Sequence, residues 1–200
     1  MTARLIALPL KAILLASLAL TPAAQANSVT NGSFETGNFT GWMLSGNTGF
    51  TGVDHGTTGF APGPQSGSFG AFFGPVGSLG FLSQSVATVP GASYNLTFSL
   101  ASDGLTPNEF QVSWNGNAIL DQINLPSFGY IQEGVSNLLA TGATTPLQFG
   151  FRDDPGYLYL DAVYVGAGAV PEPTTLLLWG ATMTGLALAR WRRRQRQLRT

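Results

Sequence analysis

Apolar and polar residues alternate along several short segments of this chain, as they do in β-strands with one buried face. In residues 93–100 every second position is apolar, with serine, asparagine and threonine between. The same alternation runs through residues 110–114 and 147–152. Asn115-Gly116, directly after the second of these segments, is a typical pair for a two-residue turn and predicts a hairpin.

Weaker patterns predict further strands, separated by segments rich in glycine and proline. Residues 157–165 are apolar on both faces, which favours a central strand. Residues 46–67, rich in glycine and threonine, are expected to form a long loop, and residues 27–170 show no helical period. The other strands are predicted near residues 29–34, 41–44, 68–73, 80–86 and 131–139. Eight or nine short strands predict an all-β fold, a jelly-roll β-sandwich.

The charged residues are distributed unevenly, which restricts the partners of the predicted domain over residues 27–168. This part holds one cation, Arg152, against nine carboxylates, a formal charge of −8. Such a domain repels phosphate backbones, so nucleic-acid binding is not expected. The chain has no cysteine, so the core, with or without a metal, must stabilise the domain without disulfides.

The N-terminus has the pattern of a secretory signal peptide. Arg4 and Lys11 precede an apolar stretch that runs over residues 12–20, and a small-x-small pattern follows at residues 24–26. Cleavage is expected at the end of that pattern, so residues 1–26 are predicted to be removed. The alternative is a membrane anchor, which the short apolar stretch and the cleavage pattern disfavour.

The C-terminal residues 169–200 have the pattern of a membrane-sorting segment. Pro171 and Pro173, which interrupt secondary structure, precede an uncharged stretch over residues 174–189. A helix of 16 to 18 residues here is at the lower limit for a single transmembrane helix. The arginines that follow predict that this end stays in the cytoplasm and the β domain lies outside. This membrane stop consists of Arg190, Arg192, Arg193 and Arg194.

The order Val170-Pro171-Glu172-Pro173, one hydrophobic span and an arginine-rich end resembles the PEP-CTERM sorting signal. The resemblance implies export by the Sec machinery, an inner-membrane intermediate, and removal of the helix by a membrane-embedded exosortase. It also implies a Gram-negative bacterium that makes exopolysaccharide, and a product at the cell surface or in the extracellular matrix. The alternative is a plain C-terminal anchor that contains Pro-Glu-Pro by chance.

Several short motifs within residues 27–168 resemble jelly-roll modules of the galactose-binding-like, carbohydrate-binding type. They are residues 31–35 with Gly41-Trp42, residues 82–86 leading to residues 91–94, and residues 159–163. The resemblance implies the fold, but binding activity does not follow from a fold alone.

The same resemblance implies a structural calcium ion at Glu35 and Asp161, near the two ends of the domain. A hard cation binds several carboxylate and carbonyl oxygens, and turn backbones can supply the remaining ligands. The alternative is that Glu35 is exposed on a loop and that Asp161 accepts hydrogen bonds from nearby backbone amides.

Other polar residues give little indication of catalysis. Asp153 and Asp154 are adjacent, so their side chains point apart in an extended chain, and they are expected to initiate a turn. His55 is the only histidine, and no serine has the Gly-x-Ser-x-Gly pattern of a nucleophile elbow. Glu109 and Glu133 have the chemistry of a glycosidase pair, but their spacing does not distinguish them from other acids. We therefore expect no enzyme activity.

Aromatic side chains are candidate platforms for sugar rings, whose C–H faces pack on them. Trp114 is in phase with buried positions and Trp42 lies near the start of the domain, so both are expected in the core. Tyr130 and Tyr157, near turns, are the better candidates for ligand binding.

Three functions are consistent with these features. The preferred hypothesis is an exported, non-catalytic cell-surface or matrix protein, processed by an exosortase and associated with exopolysaccharide. The alternatives are a dedicated lectin-like carbohydrate-binding module and a small secreted hydrolase.

Overall fold

A computed structural model of the chain describes residues 26–56 and 62–168. The predicted signal peptide, except its last residue, and the predicted sorting segment lie outside the described residues. The described part forms ten β-strands and contains no helix that is long and apolar enough to cross a membrane. The strands are β1 (Met43–Gly46), β2 (Thr51–Asp54), β3 (Gly70–Phe73), β4 (Gly80–Ala87), β5 (Ser93–Ser102), β6 (Asn108–Trp114), β7 (Asn117–Ile123), β8 (Phe128–Leu139), β9 (Thr144–Asp153) and β10 (Leu158–Ala167).

The strands form two antiparallel sheets of five strands each, which confirms the predicted β-sandwich. Sheet A has the order β1-β4-β9-β6-β7, and sheet B has the order β2-β3-β10-β5-β8. Strand β10 lies at the centre of sheet B, between β3 and β5, as its apolar pattern predicts. Many neighbouring strands are distant in the chain, so the fold depends on long-range pairing.

The core lies between the two sheets and is rich in phenylalanine. Phe73 of sheet B stacks on Phe151 of sheet A, with ring centroids 3.7 Å apart. Phe98 of sheet B contacts Phe149 of sheet A edge to face at 5.4 Å. The apolar residues of the alternating segments are therefore buried in the core. Each Å² of apolar surface that is removed from water stabilises the fold by about 25 cal/mol. Trp42 and Trp114 are also in the core, as the sequence predicts; their side chains are 9% and 3% exposed.

The hairpin prediction is confirmed, and the set of strands differs from the prediction in three places. Asn115 and Gly116 join β6 to β7 with positive φ values of 53° and 76°, which suits a tight hairpin turn. Strand β7 follows that turn and was missing from the predicted strands. Strand β2 lies inside the predicted loop of residues 46–67, because its residues pair with β3. The predicted strand at residues 29–34 is wrong, since this segment forms turns.

Residues 29–34 form turns because two of their residues adopt left-handed backbone conformations. Asn31 and Phe34 have φ values of 51° and 55°, which interrupt any strand. The Asn31 side-chain amide donates to the carbonyl oxygens of Asn38 and Thr40, which fixes the turn. The buried Phe34 ring then packs against Trp42, with centroids 6.0 Å apart. The segment therefore closes one margin of the core without joining a sheet.

Candidate functional site

The outer face of sheet A carries a row of residues that crosses all five strands. The strand registers place one residue of each strand opposite the next. Cross-strand partners share a face of the sheet, so these side chains project to the same side, away from the core. From edge to edge the row consists of Ser45, Phe81, Gly150, Gln111 and Asp121. We call this outer surface the sheet A face.

Phe81 is the aromatic residue of this row, and two glycines make room for its ring. A methyl group on Gly46 would lie 2.9 Å from Cδ2 of Phe81, and one on Gly150 would lie 3.2 Å from Cε1. The ring therefore covers the places where side chains of β1 and β9 would stand. Phe81 is half-buried and is in phase with the outward Ser83, whereas its neighbour Leu82 is in the core.

Gln111 lies next to Gly150 in the row and is held between two acids. Its Nε2 donates to Oε1 of Glu109 at 2.9 Å and to Oδ2 of Asp121 at 3.4 Å. Glu109 is two residues earlier on the same strand, and Asp121 is the cross-strand partner on β7. A carboxylate only accepts hydrogen bonds, so the amide must turn its nitrogen towards both acids and its oxygen away from them.

A cleft of about 260 Å³ opens at the β1–β4 end of the sheet A face. Its walls combine apolar side chains with short polar ones, and it is adjacent to the row that contains Phe81. The lining residues include Trp42, Met43, Ser83, Gln84, Ser85 and Pro146. Sheet A therefore offers a shallow polar surface with one aromatic ring and an adjoining cleft.

Asp161, one of the two predicted calcium ligands, is fully buried in β10 and anchors a loop. Its Oδ2 accepts the backbone N–H groups of Gln65 and Ser66 at 2.8 and 3.1 Å. Its Oδ1 accepts the N–H of Ala162 at 2.6 Å, at a β-bulge in which Ala162 has a φ of 52°. Burial raises the pKa of Asp161, the three N–H donors lower it, and the nearby carboxylate of Glu35 raises it again.

Glu35, the other predicted calcium ligand, anchors the next residues of the same loop. Its carboxylate accepts the N–H of Ser68 with both oxygens at 3.0 Å and the N–H of Phe69 at 3.1 Å. The structure thus brings the two acids to the same loop from distant parts of the chain. Residues 62–69, which we call the strap, lie over the outer face of sheet B, where Pro64 contacts Gly70.

The two acids suit a hard cation by charge, although they do not complete a coordination shell. Both carboxylates bond to neighbouring residues of the strap, and a divalent cation bound by both would offset their like charges. A carboxylate has about four lone-pair positions, so the bonds to the strap leave capacity for an ion. Among the described residues no three acid, histidine or cysteine side chains gather at one point, so backbone oxygens would have to contribute.

Tyr130 and Tyr157, the predicted ligand-binding residues, are half-buried on the sheet B side of the molecule. Burial raises the pKa of Tyr130 well above its usual range, with smaller contributions from Asp161 and Tyr159. Tyr157 packs edge to face on Phe72 with ring centroids 5.8 Å apart. Neither tyrosine belongs to the sheet A face.

The structure separates the residues that were considered for catalysis. Glu109 lies on β6 of sheet A and Glu133 lies on β8 of sheet B, so they do not face each other across a cleft. His55 follows β2; its backbone N–H donates to Asp54 and its ring contacts Phe69 edge to face at 5.8 Å. The hydrolase alternative therefore gains no paired site among the described residues.

Asp153 and Asp154 behave differently although they are adjacent. Oδ1 of the buried Asp153 accepts the N–H of Gly156, which supports the predicted turn, while its Oδ2 has no hydrogen-bond partner. Burial, followed by the carboxylate of Asp103, raises the pKa of Asp153 to about 7. Asp154 instead binds the Arg152 guanidinium at 2.8 Å from Nε, and this hydrogen bond lowers the pKa of Asp154.

Comparisons with known proteins identify the fold but no family. No family model and no curated protein matches the chain. The carbohydrate-binding module TmCBM61, solved with beta-1,4-galactotriose, is similar with a TM-score of 0.58 and 18% identity, over 72% of this chain and 99% of that chain. The CBM22-1-GH10 modules of the Clostridium thermocellum xylanase Xyn10B, solved with xylohexaose, give 0.52 and 14%, over 72% and 29%. The enzymatically active domain of bacteriophage CBA120 tailspike protein 4 gives 0.53 and 22%, over 71% and 21%.

At these identities the similarity establishes the fold alone. The described residues form a jelly-roll β-sandwich like that of carbohydrate-binding modules, as the motifs at residues 31–35 and 159–163 predict. This chain spans nearly all of TmCBM61 but only a minor part of the other two chains.

The central residues of the sheet A face, Phe81 and Gln111, are not among the site residues that the sequence predicts. A signal for Phe81 is present in the sequence, because it is apolar at an outward position between core residues and is followed by serines at the next outward positions. No signal identifies Gln111, since its two acids come together only through the pairing of β6 with β7.

Proposed function

We propose that this chain is an exported, non-catalytic carbohydrate-binding protein and that the sheet A face binds the saccharide. The observation that carries the proposal is the row in which Phe81 covers two glycines beside the Gln111 amide and its acids. The similarity to carbohydrate-binding modules supports this alternative more than a general matrix role.

The chemistry of the row suits a sugar chain. An aromatic ring offers a flat apolar surface for the C–H face of a pyranose, and fixed polar groups beside it bond to the hydroxyls. Successive rows add outward polar residues, including Ser83, Gln148 and Ser113, so an extended chain would find partners along the strands. Sites that combine few oriented polar groups with apolar surface are typical of small-molecule recognition.

Glycan binding by purified residues 27–168 tests the proposal, since the described core is closed within this range. We expect binding to at least one soluble neutral polysaccharide in affinity electrophoresis and calorimetry. Phe81→Ala is expected to weaken binding at least about tenfold, because a central aromatic contact is lost. The matched control is Phe72→Ala, which removes a half-buried ring that lies over Gly52 on sheet B. Equal loss in both variants, or no binding to any glycan, would refute the proposal.

We also propose that the chain is sorted through its C-terminal segment by an exosortase, as the resemblance to PEP-CTERM proteins implies. The support is the order of Pro171-Glu172-Pro173, the uncharged stretch and the arginines in the sequence. Changing these three residues to alanine is expected to leave the uncleaved chain in the inner membrane. Mass spectrometry of the product from native cells checks this, and normal removal of the tail in the variant contradicts it.

A structural calcium ion at Glu35 and Asp161 is a separate proposal, supported by the two carboxylates that bond to neighbouring residues of one loop. The ion would stabilise the strap and would take no part in binding sugar. We expect the melting temperature of metal-stripped wild-type protein to rise on addition of Ca²⁺, and the rise to be lost in Glu35→Gln. The same melting temperature with calcium and with chelator contradicts this proposal.

A further inference from the structure

The hydrogen bonds around Gln111 determine which chemical groups this part of the sheet A face can recognise. Its amide nitrogen is directed to Glu109 and Asp121, so its oxygen is the group left to meet a ligand. The two neighbouring carboxylates also only accept hydrogen bonds. This part of the sheet A face therefore combines three acceptors, and a ligand must bring the donors.

The negative charge of the whole domain also disfavours ligands that carry carboxylate or sulfate groups. Residues 27–168 carry a formal charge of −8, and their one cation, Arg152, is bonded to Asp154. An incoming carboxylate or sulfate would meet Glu109 and Asp121, and the amide hydrogens of Gln111 between them are already donated to these two acids. Unpaired like charges placed against a competing ligand are an established source of specificity.

We propose that Gln111 is a specificity-determining residue: held by Glu109 and Asp121, it makes the sheet A face select hydroxyl-rich saccharides and reject those bearing carboxylate or sulfate. This inference rests on the proposed function, because it assigns the ligand class of the same face. Glu109 and Asp121 act as positioning residues that orient the amide and supply the negative charge.

The test uses the full-length chain in mild detergent and matched pairs of polysaccharides. The neutral probes are beta-1,4-galactan and a glucomannan, and the acidic probes are the same polymers after oxidation of their primary alcohols to carboxylates. We expect wild-type protein to bind a neutral probe at least tenfold more tightly than its oxidised form at 20 mM salt. The preference should shrink as salt rises, because exposed charges are then screened.

The variants separate the two acids that hold Gln111 from the net charge of the domain. Glu109→Gln with Asp121→Asn leaves the Gln111 amide able to turn its nitrogen outward, and we expect the preference for the neutral probe to fall at least fivefold. The control, Glu133→Gln with Asp54→Asn, makes the same change in net charge on strands of sheet B and is expected to keep the preference. Gln111→Ala is expected to weaken binding of the neutral probe while folding is retained, as monitored by circular dichroism.

The outcomes distinguish this inference from the proposed function. Tight binding of neutral and oxidised probes alike, or an equal effect of the control variant, overturns the role of Gln111 and leaves carbohydrate binding intact. Failure to bind either neutral probe overturns both. Loss of the preference only in the variant that releases the amide supports the inference.

Discussion

The outer faces of the two sheets are built from the same kind of alternating strand, yet only one of them is covered. On sheet B the outward residues of the central strands, such as Ser99, Ala101 and Tyr159, are buried, and the strap lies over part of that face. On sheet A the corresponding positions, such as Gln111 and Gln148, remain half-exposed.

The two faces differ because their carboxylates bond to different parts of the chain. Sheet B presents the buried carboxylate of Asp161, and the strap satisfies it with backbone N–H groups, since a buried charge without partners is costly. Sheet A presents carboxylates that bind a neighbouring side-chain amide within the same sheet. Polar groups on sheet B thus hold the fold together, whereas those on sheet A bond to one another and stay at the surface.

Asp161→Ala should have the largest effect on stability, because it removes the carboxylate that holds the strap over sheet B. It leaves the N–H groups of Gln65, Ser66 and Ala162 without their acceptor, so we expect the free energy of unfolding to fall by about 3 kcal/mol. Urea denaturation checks this. Gln111→Ala, on the open face, is expected to cost less than about 1 kcal/mol, and similar losses in the two variants would contradict the contrast between the faces.

A pH series should show a second effect, at the buried acids of both sheets. The folded-state pKa of Asp153 is raised to about 7, above its unfolded value, so its contribution to stability is fully present below about pH 4 and is lost as the pH rises to about 7. The raised pKa of Asp161 acts with the same sign. Urea unfolding from pH 4 to pH 8 should show a smaller decline for Asp153→Asn than for wild type, and identical slopes would contradict the assignment.

Substitutions at two glycines can measure how much the contact between Glu35 and the strap stabilises the fold. Gly67 has a φ of 69°, and a methyl group there would collide with the Glu35 carboxylate. Gly77 has a φ of 82°, and nothing lies within 4 Å of the corresponding position. We expect Gly67→Ala to lower the free energy of unfolding by about 2 kcal/mol and Gly77→Ala by about 1 kcal/mol, the cost of the left-handed backbone alone. Thermal melts check this, and equal losses would mean that the contact with Glu35 contributes nothing.

The smallest expected effect concerns the tyrosines that sequence patterns favoured as ligand platforms. Tyr157→Ala should change the affinity for a neutral glycan by less than twofold, because Tyr157 lies on the sheet B side and packs on Phe72. Calorimetry with the glycan that responds to Phe81→Ala checks this. A tenfold loss would assign saccharide binding to sheet B.

Much of the fold is predictable from the sequence, because alternation reports directly which residues are buried. Residues 93–100, 110–114 and 147–152 all lie in strands whose apolar sets are in the core. The turns of residues 29–34 are not predictable from alternation. They depend on the left-handed backbone of Asn31 and on the hydrogen bonds from its side chain to Asn38 and Thr40. Strand β2 was missed because its short, glycine-containing sequence pairs only once β3 is in place.

The candidate site was less predictable than the fold. Glu35 and Asp161 were found through family-like motifs, and the structure brings them to one loop. Gln111 depends on the register between β6 and β7, which a bulge shifts after Val112, and no local pattern encodes that register.

The hydrogen bond between Asn27 and Val165, which joins positions 138 residues apart, imposes an order of events on folding during synthesis. Because a chain is synthesised from its amino end, the segment at Asn27 has no partner strand until the nine strands before β10 have been made. Strand β10, which both fills the middle of sheet B and receives that segment, arrives last. The β-sandwich can therefore be completed only when almost all of residues 27–168 have been synthesised, and until then the edges of β3 and β5 that pair with β10 are open.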